Sequence, residues 1–155
     1  YYNSELRKRD IKLIILGDGP EKKNLEKLIV TLNLTKYVCL LPFGKSPYGL
    51  IKNAKALVLT SKVEGFPMVI IEALSLNTPV IAFDCKSGPN EIILNGKNGL
   101  LVENQNIEQL RIALNRLLLD DDFYKKVKAN TYIGLEKFSE EKIIQEWIYL
   151  IENQM

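Results

Sequence analysis

The sequence alternates short apolar runs with longer segments in which apolar residues recur every three or four positions. Four such runs, each bounded by polar or turn-forming residues, are residues 11–17, 37–43, 55–61 and 79–84. Near-continuous apolar runs of this length are typical of strands that are buried on both faces of a parallel sheet. The alternation therefore predicts an α/β fold with a parallel sheet flanked by helices.

The segments between and after these strands have helical spacing. The predicted helices are residues 21–34, 46–54, 67–76, 107–119, 121–135 and 139–154, with a one-turn helix within 85–99 and a short edge strand at 100–102. We expect a single domain over residues 1–155, in which the helices of 107–155 pack on the sheet. The aromatic residues expected to anchor these last helices in the core are Tyr132, Phe138 and Trp147. Residues 1–10 have the character of a helix end without a preceding strand, so we expect a fragment of a longer protein.

Composition excludes several classes of function. The net charge is only +2 and no basic tract is sustained, so no nucleic-acid partner is expected. Two cysteines without metal-ligand spacing and no histidine leave no basis for a zinc site or for a nucleophile paired with histidine. No apolar run reaches the roughly 18 residues of a membrane-spanning helix, and no signal peptide is evident. We expect a cytoplasmic location.

Two glutamates, Glu64 and Glu72, flank the apolar stretch that opens the helix predicted at 67–76. This helix is apolar nearly all round, so it is expected to be buried, with Glu72 as its one charge. A buried carboxylate costs free energy unless a polar group meets it. Pro67 at the first helical position leaves the amides of residues 66–69 without helical partners, which is a ready anion site. The stretch suits a ligand with an anionic group and paired hydroxyls. The alternative is a structural role, in which Glu72 pairs with a nearby lysine or caps neighbouring backbone.

Two further loops follow predicted strands. The "GDGP" turn (17–20) lacks the third glycine of a dinucleotide fingerprint, so its spacing favours a plain tight turn over a phosphate cradle. The "DCKSGPNE" loop (84–91) lies at the carboxyl end of a strand, where open α/β sheets bind ligands, and offers Lys86 and Glu91. A solvated crossover loop explains the same residues.

Three runs, "LIILGDGPEKKNLEKL", "VCLLPF" and "ALVLTSKVEGFPMVIIEALSLNTPVIAFDCKSGPNEIILNGKNGLLV", together resemble the C-terminal, donor-binding domain of family 4 glycosyltransferases. The order of GDGP, the two glutamates eight positions apart, and SGPNEII carries the resemblance. It implies a Rossmann-like parallel sheet that is one half of the GT-B fold. It also implies that the first strand of that domain, with its basic diphosphate ligands, and the acceptor-binding N-terminal domain are missing here. The last helix is then expected to cross toward that N-terminal domain.

The resemblance assigns roles at matching positions. Glu64 is the catalytic or charge-stabilising residue beside the transferred sugar, and Glu72 accepts from the ribose hydroxyls. Backbone amides of Gly65 and Phe66 meet sugar hydroxyls. The remaining substrate-binding residues are Pro67, Met68 and Val69 at the helix end that holds the diphosphate, and Pro42, Phe43, Gly17 and Gly19 around the base.

The implied function is donor binding in a retaining glycosyltransferase. A sugar passes from a nucleoside diphosphate sugar, by the form of the 83–91 loop a UDP-sugar, to a glycan or lipid-linked acceptor held by the missing domain. No cofactor and no metal is expected, and the 155 residues alone are expected to be inactive. The full enzyme is expected to contact the inner face of the membrane peripherally. Two alternatives stay open: a non-catalytic nucleotide or sugar-phosphate binding module, and half of a GT-B sugar-nucleotide epimerase.

Overall fold

The computed structural model describes residue 1, residues 4–44 and residues 46–153, and the predicted alternation of strands and helices is confirmed there. The strands are β1 (Leu13–Leu16), β2 (Val38–Leu41), β3 (Leu57–Leu59), β4 (Val80–Asp84) and β5 (Gly99–Glu103). The helices are α1 (Lys22–Thr31), α2 (Tyr48–Asn53), α3 (Met68–Ser75), α4 (Pro89–Ile92), α5 (Ile107–Leu119), α6 (Asp121–Ala129) and α7 (Glu140–Asn153). Two 3₁₀ segments, Glu5–Arg9 and Glu136–Phe138, complete the described elements.

The strands are parallel as predicted, but they form two ladders. β1 pairs with β2, with Leu13 opposite Val38, and β4 lies between β3 and β5. Within the described residues no ladder joins the β1–β2 pair to the three-stranded sheet.

β4 is the centre of the core. Its residues alternate between two packed layers, as the period of two in a strand requires. Ile81 and Phe83 pack in the cluster built by α5 and α6, whereas Val80 and Ala82 pack in the cluster built by α3 and α4. A strand covered by helices on both sides explains why the run 79–84 is apolar throughout.

The β1–β2 pair is less well covered. Ile14 is 48% exposed, Cys39 is exposed, and the described residues of α1 include no buried one. Burial of β1 on both faces, which its apolar run predicts, is therefore wrong for Ile14. The helix that follows β1 shields this pair only in part.

The C-terminal segment departs most from expectation. α6 ends at Ala129 and not at 135, because the chain turns there: the Thr131 hydroxyl lies 3.1 Å from the Lys128 carbonyl oxygen and 3.0 Å from Asn77 Oδ1, and Gly134 has a φ of +84°. Tyr132 and Trp147 are 57% and 63% exposed, so their assignment to the core is wrong, while Phe138 packs at the edge of the α3–β4 cluster.

The last helices differ in how they are held. α5 packs on β4 and β5, whereas α7 contacts the 3₁₀ segment Glu136–Phe138 and its described residues are all exposed. Residue 154, the predicted end of this last helix, lies outside the described residues, as do residues 2 and 3 of the predicted helical start. Among the described helices, none combines the length and apolarity needed to cross a membrane.

Candidate functional site

The predicted site residues lie in loops that follow the carboxyl ends of strands or at the start of the next helix, apart from Glu72, which lies within α3. The turn after β1 carries Gly17 and Gly19, the loop after β2 carries Pro42 and Phe43, and the loop after β3 leads through Glu64 into α3. In open parallel sheets the crevice outside these strand ends is where ligands bind. Most of the predicted residues therefore lie beyond the carboxyl ends of the strands.

Glu72 has a polar partner in the structure. The Tyr48 hydroxyl, on α2, donates to Glu72 Oε1 at 3.4 Å. Of the residues described, no lysine or arginine forms an ion pair with this carboxylate. Glu72 is half-buried and Met68 is exposed, so the expectation that α3 is buried all round is wrong: Ile70, Ala73 and Leu74 face the core, and one side stays open. A carboxylate on that open side can accept hydrogen bonds from a ligand.

The N-terminus of α3 begins one residue later than predicted. Pro67 is the residue before the helix, and Met68 is its first residue. The Met68 N–H already donates to the Phe66 carbonyl oxygen at 3.0 Å, and the Ile70 N–H donates to the Pro67 carbonyl oxygen at 2.9 Å. The Val69 N–H has no hydrogen-bond acceptor among the described residues. Val69 therefore offers the amide best placed to meet an anion at this helix end.

The loop after β4 holds this helix end in place. Pro67 is buried, and a Cβ built on Gly88 lies 2.3 Å from Pro67 Cδ, so the two segments touch at a point where only glycine fits. Gly88 also has a φ of +95°, in the region that favours glycine. Glu91 Oε1 accepts from the Gly88 N–H at 3.2 Å, so this carboxylate closes the turn of its own loop. Lys86 is exposed.

The loop before α3 carries Glu64, Gly65 and Phe66. Glu64 is half-buried, and no hydrogen bond or ion pair joins it to another described residue. The Phe66 ring packs edge-on against Phe138, with ring centroids 5.6 Å apart. Sequence reasoning missed Phe138 as a neighbour of the site, because no local pattern relates residues so distant along the chain.

The loops after β1 and β2 meet through two contacts. The Gly17 N–H donates to the Leu41 carbonyl oxygen at 2.9 Å, which ends the β1–β2 ladder. Beyond it, Asp18 Oδ2 accepts from the Phe43 N–H at 3.0 Å, and Asp18 Oδ1 accepts from Lys22 Nζ at 3.0 Å. These two donors, Lys22 first, hold the pKa of the Asp18 carboxyl below its usual value. Asp18 was not among the predicted site residues, although it lies between two that were.

The predicted residues thus form two groups. One comprises Gly17, Gly19, Pro42 and Phe43 on the β1–β2 pair, and the other runs from Glu64 to Glu72 on the three-stranded sheet. Tyr48, which the sequence prediction also missed, stands on α2 between the two groups in the chain and contacts the second. Its signal in the sequence is a tyrosine in the first turn of a short helix, which is too common to single out.

A parallel α/β domain with a helix N-terminus and a nearby carboxylate at its strand ends has the form of a nucleotide-binding domain. The chain belongs to the family described as "Glycosyl transferases group 1", whose family model matches residues 3–133. The predicted family and its GT-B fold are confirmed: the solved structures that it resembles are glycosyltransferases of this fold.

Three relatives show the extent of the similarity. An uncharacterized glycosyltransferase of Methanocaldococcus jannaschii is 38% identical over 91% of this chain and 42% of its own length. The poly(ribitol-phosphate) α-N-acetylglucosaminyltransferase of Staphylococcus aureus is 34% identical over 92% of this chain and 29% of its own length. A Campylobacter jejuni α-N-acetylgalactosaminyltransferase, whose name specifies a diphospho-undecaprenol substrate, is 36% identical over 90% of this chain and 38% of its own length.

Two solved structures are similar to this chain over most of its length. A mutant of S. aureus TarM in complex with fondaparinux, α-GlcNAc-glycerol and UDP matches with a TM-score of 0.85 and 32% identity, over 94% of this chain and 30% of that one. HepE of Anabaena in complex with UDP matches with a TM-score of 0.82 and 26% identity, over 92% of this chain and 41% of that one. The chain spans less than half the length of each of these proteins and corresponds to one half of the GT-B fold.

Proposed function

We propose that this chain is the donor-binding domain of a retaining glycosyltransferase that takes a sugar from a UDP-sugar. The observation that carries the proposal is that one helix, α3, presents two groups to a ligand: the Val69 amide at its N-terminus and the Glu72 carboxylate on its open side. An amide at a helix N-terminus suits a diphosphate, and a carboxylate suits the hydroxyl pair of a ribose. The UDP named in the TarM and HepE structures supports uridine as the base.

The residues take distinct roles in the transfer. The bond between the anomeric carbon of the sugar and the diphosphate oxygen breaks, and the same carbon bonds to an acceptor hydroxyl oxygen with its configuration retained. The proton of that hydroxyl passes to the departing diphosphate. Negative charge grows on the departing diphosphate, so fixed donors aimed at it favour the transition state. Val69 supplies one such amide, and Met68 supplies a second if its bond to the Phe66 oxygen opens. Glu64 lies beside the sugar and stabilises the positive charge that develops there.

The loops after β1 and β2 complete the donor site. Pro42 and Phe43 line the base, and Gly17 and Gly19 form the wall beside it. Gly19, Pro42 and Phe43 are exposed and Gly17 is partly buried, so a flat base has access to these residues. We further propose that amides and cations alone meet the diphosphate charge, without a metal ion, and that chelator leaves UDP binding unchanged.

The acceptor belongs to the rest of the full-length enzyme. We propose a glycan or a lipid-linked acceptor, at the cytoplasmic face of the membrane. The name of the C. jejuni relative, with its diphospho-undecaprenol substrate, supports a lipid-linked acceptor, and that of the S. aureus relative supports a cell-wall polymer. Because the relatives are more than twice as long, we propose that the 155 residues alone bind donor and transfer no sugar.

Calorimetry with UDP and UDP-GlcNAc tests the donor site. We expect the wild-type chain to bind both, and Glu72→Ala to weaken binding about 10- to 100-fold, because each hydrogen bond to a charged group contributes about 1.5–3 kcal/mol. Glu140→Ala, on the exposed α7, is the matched control and should bind like the wild type. Absence of UDP binding by the wild type, or equal affinity of the Glu72→Ala chain, contradicts the proposed function.

A further inference from the structure

The loop that carries Pro42 and Phe43 is held by few contacts. Phe43 is 68% exposed, and Pro42 and Gly44 are exposed as well, so burial of side chains does not fix residues 42–44. The β1–β2 ladder ends at the bond from the Gly17 N–H to the Leu41 oxygen. In the described part of the chain, the hydrogen bond that joins the two loops beyond this point is the one from the Phe43 N–H to Asp18 Oδ2.

The geometry of Asp18 suits a clamp between these loops. Its Oδ2 accepts a hydrogen bond at 3.0 Å from the backbone N–H of Phe43, which lies 25 positions further along the chain. Its Oδ1 accepts a hydrogen bond, also at 3.0 Å, from the ammonium group of Lys22 in the first turn of α1. The lysine therefore orients the carboxylate so that its second oxygen points at Phe43. An ionised acceptor makes the stronger kind of hydrogen bond to a backbone N–H.

We infer that Asp18 is a positioning residue of the donor site: it fixes the backbone of Phe43 against the Gly17–Gly19 turn and so sets the spacing of the base subsite. The inference rests on the proposed function and deepens it, since it assigns recognition of the nucleoside base to a clamp between two loops. Asp18 acts through the backbone at Phe43, and Lys22 acts through Asp18.

The first test follows the clamp itself by NMR. The Phe43 amide proton, bound to a carboxylate, is expected to be protected from solvent exchange in the wild type. Asp18→Ala removes the acceptor, and we expect at least about a tenfold loss of that protection, because a charge-assisted bond is lost. Asp18→Asn keeps an oxygen acceptor and restores most of it. Equal protection in the wild type and in Asp18→Ala overturns the clamp.

The second test separates the base from the diphosphate. UDP and inorganic pyrophosphate are titrated against wild type, Asp18→Ala, Asp18→Asn and Lys22→Gln, with Lys23→Gln as the matched control for charge on α1. We expect Asp18→Ala to weaken UDP about tenfold and Asp18→Asn or Lys22→Gln about two- to threefold, with Lys23→Gln unchanged. Pyrophosphate binding, followed at the Val69 amide, should stay the same in every variant.

The outcomes distinguish this inference from the proposed function. If UDP binds the wild type and weakens in Glu72→Ala but not in Asp18→Ala, the clamp is wrong and the donor site stands. If pyrophosphate weakens as much as UDP in Asp18→Ala, a role restricted to the base is overturned. If the wild type does not bind UDP, the proposed function itself fails. Asp18 is exposed, so its replacement is expected to leave the fold intact, and Asp18→Asn repeats the comparison in a near-isosteric chain.

Discussion

Two regions of this chain have equally apolar strands and very different packing. The region of β3, β4 and β5 encloses β4 between α3 and α5, and Val80, Ile81 and Ala82 have no exposed surface. The region of β1 and β2 has α1 beside it, and none of the residues described in α1 is buried. Strand sequence alone does not fix burial; the helices that cover the strand decide it.

The donor site proposed here draws on both regions. The Val69 amide and Glu72 belong to the well-packed region. The loops after β1 and β2, which are proposed to line the base, belong to the exposed region. Regions with few buried contacts open locally at lower free energy than the core does. We therefore expect the diphosphate and ribose contacts to be preformed. The conformation of the loops after β1 and β2 is expected to depend on individual hydrogen bonds such as that of Asp18.

The largest expected effect comes from the same substitution in each region. Ile81→Ala empties a fully buried position in β4, and deletions of this kind cost about 2–5 kcal/mol of the free energy of unfolding. Ile14→Ala in β1 removes a side chain that is 48% exposed, and we expect less than about 1.5 kcal/mol. Urea unfolding measures both. Similar losses at the two positions would mean that β1 is buried as deeply as β4, against the comparison drawn here.

A second pair of substitutions tests how the packed region supports the site. Gly88→Ala places a Cβ against Pro67 Cδ, whereas Gly96→Ala has nothing within 4 Å; both glycines have positive φ, +95° and +77°. Both glycines have a backbone that L residues rarely adopt, so we expect each change to cost about 1–3 kcal/mol of the free energy of unfolding. Gly88→Ala also displaces the start of α3, so we expect a fall in UDP affinity of about tenfold beyond that of Gly96→Ala.

Calorimetry with UDP, paired with thermal unfolding, reads out this second comparison. Gly96→Ala adds strain at a positive φ without a contact, and thermal unfolding reports the stability that each chain loses. A fall in UDP affinity that is confined to Gly88→Ala reports a change in the loop after β4 and its contact with Pro67. If both bind UDP alike, the loop after β4 does not position α3 for the ligand.

Sequence reasoning reached the elements of this fold and fell short at their contacts. The period of the apolar residues identifies β4 and α5 because periodicity is a local property. It does not reveal that the partner of Glu72 is Tyr48, or that Gly88 touches Pro67, since those depend on how segments distant in the chain meet. It placed Trp147 in the core for the same reason: an apolar face shows that a helix can be covered, not that it is.

The site followed a similar division. Glu64, Glu72 and the start of α3 lie in one continuous stretch, so their placement on the loop and helix after β3 could be predicted from local sequence. Asp18 was overlooked because its role depends on Phe43, which reaches it only through pairing of β1 with β2. Contacts of that kind become visible only when the register of the strands is known.

The smallest expected effect is a pH dependence that differs between the regions. The pKa of Asp18 is held below its ordinary 3.8, first by Lys22 and then by the Phe43 N–H, and that of Glu108 on α5 below its ordinary 4.5 by Arg111. A carboxyl whose pKa is lower in the folded state stabilises the fold above its unfolded pKa, and this contribution is lost as pH falls through the folded pKa.

Both contributions are small because both carboxylates are exposed to solvent and to salt. Asp18, however, joins two loops, whereas Glu108 and Arg111 lie within one turn of the same helix. As pH falls below 3.8, we therefore expect the Phe43 amide to lose its protection from exchange in the wild type and in Glu108→Gln alike, in step with protonation of Asp18. In Asp18→Asn the residual protection should not change with pH in this window. NMR exchange rates at a series of pH values, each compared with the intrinsic rate of an unprotected amide at the same pH, give the protection factor that measures this. A pH-dependent protection factor at Phe43 in the Asp18→Asn chain would assign the titration to another group and remove Asp18 as the link between the loops after β1 and β2.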